Sequence, residues 1–195
     1  IDKQNAKKIS VIIGNPPYNA NQLNENENNK NREYPAIDSR IKETYIKQST
    51  AQKTKLYDMY VRFLRWSSDR ISENGIIAFV SNNSFVDARS FDGFRKVVVE
   101  EFSDIYIINL KGDARTSGER RRKEGGNIFS DQIRVGVAIY FLVKDKNKSG
   151  CQIHYIDVDD YLPAEEKKDY LRERKLKDLP FVHLHPDSRS NWLNK

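Results

Sequence analysis

The sequence has 195 residues, of which 37% are hydrophobic and 32% are charged. Its ten Tyr, nine Phe and two Trp are too many aromatic side chains for a disordered polymer. No apolar run approaches the roughly 18 residues that a membrane span requires. The single cysteine, Cys151, excludes an intramolecular disulfide framework and a cysteine-based zinc cluster. These features predict a globular domain of a reducing compartment that does not contact a membrane.

The chain is basic, with 34 Lys and Arg against 28 Asp and Glu and a formal net charge of +6. An excess of this size fits a polyanion such as nucleic acid, although many soluble domains carry as much without such a partner. Much of it lies in the segment Lys111 to Glu124, whose glycines and lack of apolar periodicity predict an exposed loop.

The first predicted element is a buried strand, Ile9 to Ile13, which ends at Gly14 and is followed by Asn-Pro-Pro. Asn19 to Asn31 holds seven Asn in thirteen residues and is expected to be a mobile loop. Apolar residues at helical spacing then predict one helical face between Ile37 and Ile46.

A longer helix is predicted from Leu56 to Ile71, with Asn74-Gly75 as its stop signal. The apolar run Ile76 to Val80 predicts the next core strand, and Ser81 to Ser84 a polar loop. A further amphipathic helix is expected from Phe91 to Phe102.

Three more strands are predicted, at Ile105 to Leu110, Arg134 to Val143 and Gln152 to Val158, before a charged helix and a proline-punctuated tail. This alternation of strands and helices is typical of an open α/β sheet with helices on its faces. Because no helix separates the first two of these three strands, we expect them to be antiparallel, with one antiparallel strand near the edge of the sheet.

Ligands of open α/β sheets bind just beyond the carboxyl ends of the strands. After the first strand, that position holds Asn15, Pro16, Pro17 and Tyr18. Two prolines make a stiff turn that fixes the directions of the Asn amide oxygen and a main-chain carbonyl, and both can accept from one NH2 group. A neighbouring tyrosine supplies a flat apolar face, so this arrangement suits a planar aromatic amine. The alternative is that Asn-Pro-Pro only terminates the strand.

The run VIIGNPPYN resembles the [NDS]-P-P-[YFW] motif of S-adenosylmethionine-dependent amino-methyltransferases that modify adenine N6 in DNA. The resemblance continues in order through LYDMYVRFLRWSSDRI, NGIIAFVSNNSFVD, IYIINLKGD and RVGVAIYFLVK, and covers residues 9 to 160. The chain looks most like large single-chain restriction–modification proteins in which nuclease, helicase, methyltransferase and target-recognition parts are fused. The tail PDSRSNWLNK is similar to the same group.

This resemblance implies the C-terminal half of a Rossmann-like methyltransferase sheet, mostly parallel, with an antiparallel strand near the edge and helices on both faces. It also implies a bacterial-type cytoplasmic protein whose partner is double-stranded DNA with a flipped adenine. The Asn15 side chain and the Pro16 carbonyl would accept from the adenine amino group. Pro17 would hold the turn, and Tyr18 would stack on the base.

The same family sandwiches the flipped base with a second aromatic residue, and Phe129 occupies that place by order and spacing. The alternative is that Phe129 only packs the base of its loop. Arg120, Arg121 and Arg122 are the expected phosphate contacts. Their alternative role is that of solvated surface charges.

The S-adenosylmethionine site of this family lies mainly on strands upstream of the NPPY strand, and Asn15 is the one residue here expected beside the cofactor. We therefore expect residues 1 to 160 to be a partial methyltransferase domain that depends on upstream and downstream domains of the same polypeptide. Residues 161 to 195 are expected to form a charged helix and a connector toward a downstream target-recognition region. Methyl transfer by this chain alone is not expected.

Two other functions remain open. NPPY motifs also serve enzymes that methylate a glutamine amide in protein or an amino group in ribosomal RNA, and the segment could instead be a non-catalytic DNA-binding part of a larger helicase or restriction protein. A metal site is not expected, because His154, His183, His185 and Asp187 show no recognised spacing for a third ligand.

Overall fold

The computed structural model describes residues 7–17, 33–51, 56–130 and 132–193. Within these residues the chain forms one six-stranded sheet. The strands are β1 (Ile9–Gly14), β2 (Ile71–Asn82), β3 (Asp104–Asn109), β4 (Val137–Asp145), β5 (Gln152–Asp157) and β6 (Val182–Leu184).

Six α-helices accompany the sheet in the described part of the chain, and none of them is long and apolar enough to cross a membrane. They are α1 (Pro35–Ile41, continued by a π-helical turn, Lys42–Ile46), α2 (Met59–Arg70), α3 (Ser84–Asp87), α4 (Asp92–Glu101), α5 (Gly118–Glu124) and α6 (Ala164–Glu173). Short 3-10 turns precede α4 (Arg89–Phe91) and follow α6 (Leu176–Asp178).

The strand order is β1-β2-β4-β3-β5-β6. β1 is parallel to β2 and β3 is parallel to β5, whereas β4 is antiparallel to both of its neighbours and β6 to β5. Four of the six strands thus share one direction, which confirms the α/β class and the antiparallel pairing of the strands on either side of the basic segment. In the described sheet β4 lies inside, between β2 and β3, and β6 is the antiparallel strand at the edge.

Alternation along the strands gives the sheet two apolar faces, as period-two side-chain geometry requires. One face packs against α2 and α4 and includes Ile77, Phe79, Ile107 and Tyr140. The other face, which includes Ile108 and Val137, packs against α6 through side chains such as Tyr170 and Leu171. The expected helices on both faces are therefore present.

The prediction that Asn74-Gly75 stops a helix is wrong, because both residues lie inside β2. The backbone is already extended at Ile71, which pairs with Ile9 of β1. The register then shifts, and at this irregularity a Cβ on Gly75 would lie 2.7 Å from the Ser10 carbonyl oxygen. The glycine is needed for close approach of two strands.

Two predicted loops are also corrected. Ser81 and Asn82 continue the β2 ladder because they pair with Ala138 and Val137 of β4, so the polar loop is reduced to a turn before α3. The basic segment, predicted to be a loop, contains α5, none of whose residues is buried. β1, β3, β4, β5 and α4 begin and end within about three residues of their predicted positions, whereas β6 was not predicted. The prediction that the first strand is buried is wrong, because β1 lies at the edge of the described sheet with Val11 57% and Ile13 78% exposed.

Candidate functional site at the carboxyl edge of the sheet

The carboxyl ends of β1, β2 and β3 meet at one edge of the sheet, together with the amino end of β4. Gly14 pairs with Phe79, Asn82 with Val137, and Asn109 with Ala138. The first turn of α2 lies at the same edge, because the helix runs antiparallel to β2 and enters that strand without a loop. The topology therefore brings the end of the NPPY strand and the start of α2 to one side of the molecule.

The Asn-Pro-Pro turn projects from this edge. Asn15 and Pro17 are exposed, whereas Pro16 is buried. The buried ring fixes the turn against the domain, and the Asn15 amide is left accessible from outside. Tyr18 and the Asn-rich segment 19–31 lie outside the described residues, so their predicted roles stay predictions.

A set of hydrogen-bonded side chains, not found from the sequence, occupies the ends of β2, β3 and β5. Asn83 Nδ2 donates to Asn109 Oδ1 at 2.9 Å. Asn109 Nδ2 donates to the Tyr155 hydroxyl and to Asp157 Oδ1, each at 3.0 Å, and Tyr155 also donates to Asp157. The one signal in the sequence was polar residues directly after apolar strands. These contacts tie three strand ends together and give the edge a fixed polar floor.

Asp58, at the start of α2, was likewise not singled out from the sequence. Its residue is only 8% exposed, and neither carboxylate oxygen has a hydrogen-bond partner of good geometry among the described residues. Burial raises the pKa of Asp58 to about 6, although the amides of Met59 and Tyr60 and the charge on Arg62 act in the opposite direction. A buried carboxylate in this state is a common property of functional sites and also of strained helix caps.

The three arginines predicted to contact phosphate lie together on α5 but differ in their partners. Arg121 donates to the Gly125 carbonyl at 2.8 Å, and Arg122 forms an exposed ion pair with Glu119 at 3.2 Å. Arg120 makes no ion pair within 4 Å in the part of the chain that the structure describes. Arg120 is therefore the arginine of the three that is most available to a polyanion.

α5 is fixed to the segment before α6 by several polar contacts. Asp160 bridges Lys111 at 2.6 Å and Lys123 at 3.2 Å. The Tyr161 hydroxyl donates to Glu119 at 2.5 Å. The basic surface is thus a supported helix held against the domain.

Phe129 lies on the segment that follows α5 and leads to β4. Asn127 is buried, donates to the Val135 carbonyl at 2.9 Å, and accepts from the Phe129 amide at 3.1 Å. Ile128 is buried in the second core, whereas Phe129 remains 47% exposed. Because this segment joins β4 at its amino end, Phe129 emerges at the same edge as Asn15. No hydrogen bond or ring contact among the described residues joins the two.

Elsewhere, the described residues contain no group of His, Cys, Asp or Glu that could hold a metal ion. A groove of about 590 Å³ lies across β3 and β5, on the half of the sheet away from β1, and includes Tyr106, His154 and Phe181. The Tyr106 and His154 rings stack on each other with centroids 4.2 Å apart. The two rings already stack on each other, and the groove is therefore not part of the candidate site.

The described residues do not by themselves fit S-adenosylmethionine. Gly14 ends a strand but is followed by the proline turn, whose described residues, Asn15 to Pro17, are not helical. Gly118, Gly125 and Gly126 belong to α5 and the segment after it. Glycine-rich cofactor turns require a strand, a tight turn and the N-terminus of a helix in direct succession, and no such succession occurs in the described ranges.

Comparison with known proteins identifies relatives in both sequence and structure. The Type II methyltransferase M.BstVI of Geobacillus stearothermophilus is 25% identical over 196 residues, which cover 98% of this chain and 29% of the relative. The chain also resembles part of a solved DrdV–DNA complex, with a TM-score of 0.92 and 60% identity, over 98% of this chain and 19% of that chain.

Two further solved structures are Type ISP restriction–modification enzymes. A nuclease-deletion mutant of LlaGI in complex with a DNA substrate mimic gives a TM-score of 0.94 and 43% identity, over all of this chain and 19% of that one. ATP-dependent LlaBIII bound to DNA gives 0.91 and 40%, over all of this chain and 13% of that one. The chain thus spans less than a third of each of these relatives.

The sequence model of the Eco57I restriction-modification methylase family matches residues 1–116, more than half of the chain. Together with the structural likeness, this confirms the resemblance to restriction–modification methyltransferases that the NPPY run and its flanking segments indicated. The chain belongs to the Eco57I restriction-modification methylase family.

Proposed function

We propose that this chain is part of a larger DNA methyltransferase that transfers a methyl group to the N6 amino group of adenine in a restriction–modification system. The observation that carries the proposal is the Asn-Pro-Pro turn at the carboxyl edge of the sheet, with Asn15 exposed and Pro16 buried. An enzyme that binds a planar amine needs two fixed acceptors there, and this turn supplies them.

The proposed work of the turn is to hold the amino nitrogen of the base. The Asn15 amide oxygen and the Pro16 carbonyl accept its two N–H groups, which favours a more tetrahedral nitrogen with an available lone pair. Pro17 and the buried ring of Pro16 keep both acceptors in place before the base arrives. Positioning and preorganised dipoles are effective because no reorganisation is needed at the moment of reaction.

The base must leave the duplex to reach this edge, because its amino group is otherwise inside the stack. We propose that Tyr18 and the exposed ring of Phe129 stack on the extruded adenine. Arg120 and its neighbours on α5 contact the DNA backbone, which gives affinity without sequence information.

DNA is favoured over protein or RNA as the substrate by the descriptions of the relatives, three of which are complexes with DNA or a DNA mimic. The two relatives described as Type ISP enzymes also support a parent protein that contains other domains in the same polypeptide. S-adenosylmethionine supplies the methyl group in methyltransferases of this kind. Most of its site is expected on other parts of that protein, with Asn15 beside it.

Asn15→Ala in the parent protein tests the proposal. The variant loses one acceptor but keeps the proline turn, so folding should survive while the methyl-transfer rate falls by about a hundredfold or more. Single-turnover methylation of a short duplex with one target adenine measures this. Asn147→Ala, at an exposed asparagine in the turn after β4, is the matched control and should methylate at the wild-type rate. Wild-type methylation by Asn15→Ala would show that the motif has been misinterpreted.

Tyr18→Ala should behave differently from Asn15→Ala, since it removes a stacking surface of about 1–3 kcal/mol. A mismatch opposite the target adenine eases extrusion and should partly restore Tyr18→Ala but not Asn15→Ala. Equal responses of the two variants to the mismatch would contradict the separate roles.

A further inference from the structure

Lys167 of α6 is a fully buried lysine that the proposed chemistry does not use. Its ammonium donates to the Glu124 carbonyl at 2.8 Å and to the Gly126 carbonyl at 2.6 Å. No carboxylate lies within ion-pair distance of it among the described residues. Burying an ammonium without a paired carboxylate costs free energy, and burial lowers the pKa of Lys167 to about 8. Placing this ammonium group against two main-chain carbonyls therefore lowers the free energy of unfolding relative to an exposed lysine.

Those carbonyls belong to the C-terminal end of α5 and the residues after it. The last carbonyls of a helix lack partners inside the helix, and a cation is favourable beside them. With seven residues, α5 is too short to be stable by itself. Gly125 is packed so closely that a Cβ would lie 2.2 Å from the Leu162 carbonyl oxygen. The chain from Glu124 to Gly126 is thus held in place from the side of α6.

The same stretch of chain continues directly to Phe129. Gly126 is followed by Asn127, whose side chain bonds the Val135 carbonyl on one side and the Phe129 amide on the other. Only Asn127 and Ile128, both buried, separate the carbonyl that Lys167 holds from the half-exposed Phe129 ring. A displacement at Gly126 would be passed to Phe129 because the two residues between them are themselves fixed.

We propose that Lys167 is a positioning residue that holds Phe129 in the orientation in which it stacks on an extruded adenine. The inference rests on the proposed function and deepens it by assigning part of the base-binding apparatus to α6. α6 is the charged helix predicted within residues 161 to 195, outside the predicted methyltransferase part of the chain. Lys167 itself touches neither the base nor the methyl donor.

A double-mutant cycle in the parent protein tests the inference, using Lys167→Met, Phe129→Ala and the double variant. Lys167→Met replaces the lysine with an uncharged, apolar side chain of similar length and removes both hydrogen bonds. We expect single-turnover methylation of a fully paired duplex to fall roughly ten- to hundredfold, the effect of a small misplacement of a binding group. The double variant should be no slower than Phe129→Ala alone, because both changes act on one contact. A mismatch opposite the target adenine should restore much of the rate in each case.

Lys168→Met is the matched control, since Lys168 is the next residue of the same helix and pairs at the surface with Glu165. It should leave the methylation rate unchanged. If Lys167→Met does not fold, as judged by circular dichroism and a melting curve, Lys167→Gln carries the same cycle because its uncharged amide keeps a donor group. A purely structural lysine would lower the melting temperature and leave the response to the mismatch as in the wild type.

Three outcomes overturn the inference. The effects of Lys167→Met and Phe129→Ala on the methylation rate could multiply in the double variant, Lys167→Met could methylate the paired duplex at the wild-type rate, or Phe129→Ala could leave that rate unchanged. These outcomes are separate from the test of the proposed function. An inactive Asn15→Ala with a multiplicative Lys167 cycle rejects only the positioning role. A fully active Asn15→Ala rejects the proposed function itself.

Discussion

Asparagines of this chain show how partners decide the role of a residue. Three of them form side-chain hydrogen bonds within the domain, namely Asn83, Asn109 and Asn127. Asn15 is exposed at the end of β1, beside a buried proline. Of these four, Asn15 is the one whose side-chain acceptor lies exposed beside the proline turn, and this is why we place the chemistry there.

Asp58 gives a prediction about pH. Its pKa is raised to about 6 by burial, above the value near 3.9 expected for an unfolded chain. The folded state therefore binds the proton more tightly, and the free energy of unfolding should fall as the pH rises from about 4 to 6 and stay lower above that. Asp58→Asn cannot ionise, so it should be more stable than the wild type by about 1–3 kcal/mol at pH 7.5 and nearly equal to it at pH 4.

Urea unfolding of the wild type and of Asp58→Asn at both pH values measures the difference. Asp58 makes no side-chain capping hydrogen bond at the start of α2, and Asn is as well tolerated at that position as Asp, so the variant changes mainly the charge. A variant that is less stable than the wild type at pH 7.5 would mean that the Asp58 carboxylate makes a favourable contact in its charged form.

At the scale of elements, α5 is the clearest case of a helix that exists because of its surroundings. It buries no side chain of its own. Its two ends are held by Lys167, by the Asp160 bridge to Lys111 and Lys123, and by the contact between Tyr161 and Glu119. We expect the basic surface to lose its shape when these contacts are removed, even though its charge is unchanged.

The glycine that begins α5 and the glycine that follows it provide a comparison. Gly118 and Gly125 have similar positive φ angles, +60° and +63°, but a Cβ would meet nothing within 4 Å at Gly118 and the Leu162 carbonyl at Gly125. Gly118→Ala should cost about 1–2 kcal/mol for the backbone conformation alone. Gly125→Ala should cost roughly 1–3 kcal/mol more, because its backbone (φ +63°, ψ −152°) lies in a region that is essentially restricted to glycine and because the backbone of Leu162 must shift.

Chemical denaturation of both variants decides between these values. Equal losses of stability would indicate that neither the backbone conformation of Gly125 nor its contact with Leu162 adds a cost. A larger loss at Gly118 would contradict the packing described for α5.

At the scale of the whole molecule, the basic side chains that give the net charge of +6 differ in how available they are to a polyanion. Many basic side chains are consumed by ion pairs or carbonyls, whereas Arg120 has no such partner among the described residues. Arg120→Ala in the parent protein should weaken binding to duplexes of any sequence. It should also reduce the slope of log K against log salt by about 0.9, the value for one phosphate contact.

Arg172→Ala is the control for charge, since Arg172 lies on α6 and already pairs with Asp169. It should leave the salt slope nearly unchanged. Fluorescence anisotropy of labelled duplexes over a range of salt concentrations gives both slopes, and equal slopes for the two variants would argue against a phosphate contact at Arg120.

The C-terminal tail belongs to the same body as the sheet. Buried Arg95 donates to the Ser190 carbonyl at 2.7 Å and to the Ala88 carbonyl at 2.9 Å, and buried Trp192 packs edge-on against Phe85. These contacts hold the tail against α3 and α4. The division of the chain at residue 160 stays a prediction.

Local sequence was sufficient for the features that depend on neighbours along the chain. Runs such as Ile9–Ile13 and Ile105–Leu110 predicted strands because β-branched side chains favour a pleated sheet, and β1 and β3 form there, although only β3 is largely buried. The 3.6-residue spacing predicted the helices that became α2 and α4. The NPPY run indicated the edge at which to seek the site, since a proline turn directly after a strand of an open α/β sheet lies at the carboxyl ends of the parallel strands.

Only the tertiary structure decided what depends on residues far apart in the chain. The position of β4 between β2 and β3, the extension of β2 through Gly75, and the existence of α5 all follow from contacts with other elements. Lys167 meets Glu124 across 43 positions, and Asn83 meets Asn109 across 26. Local propensity carries no information on such pairs, because the free energy that selects them arises only when the sheet brings both partners together.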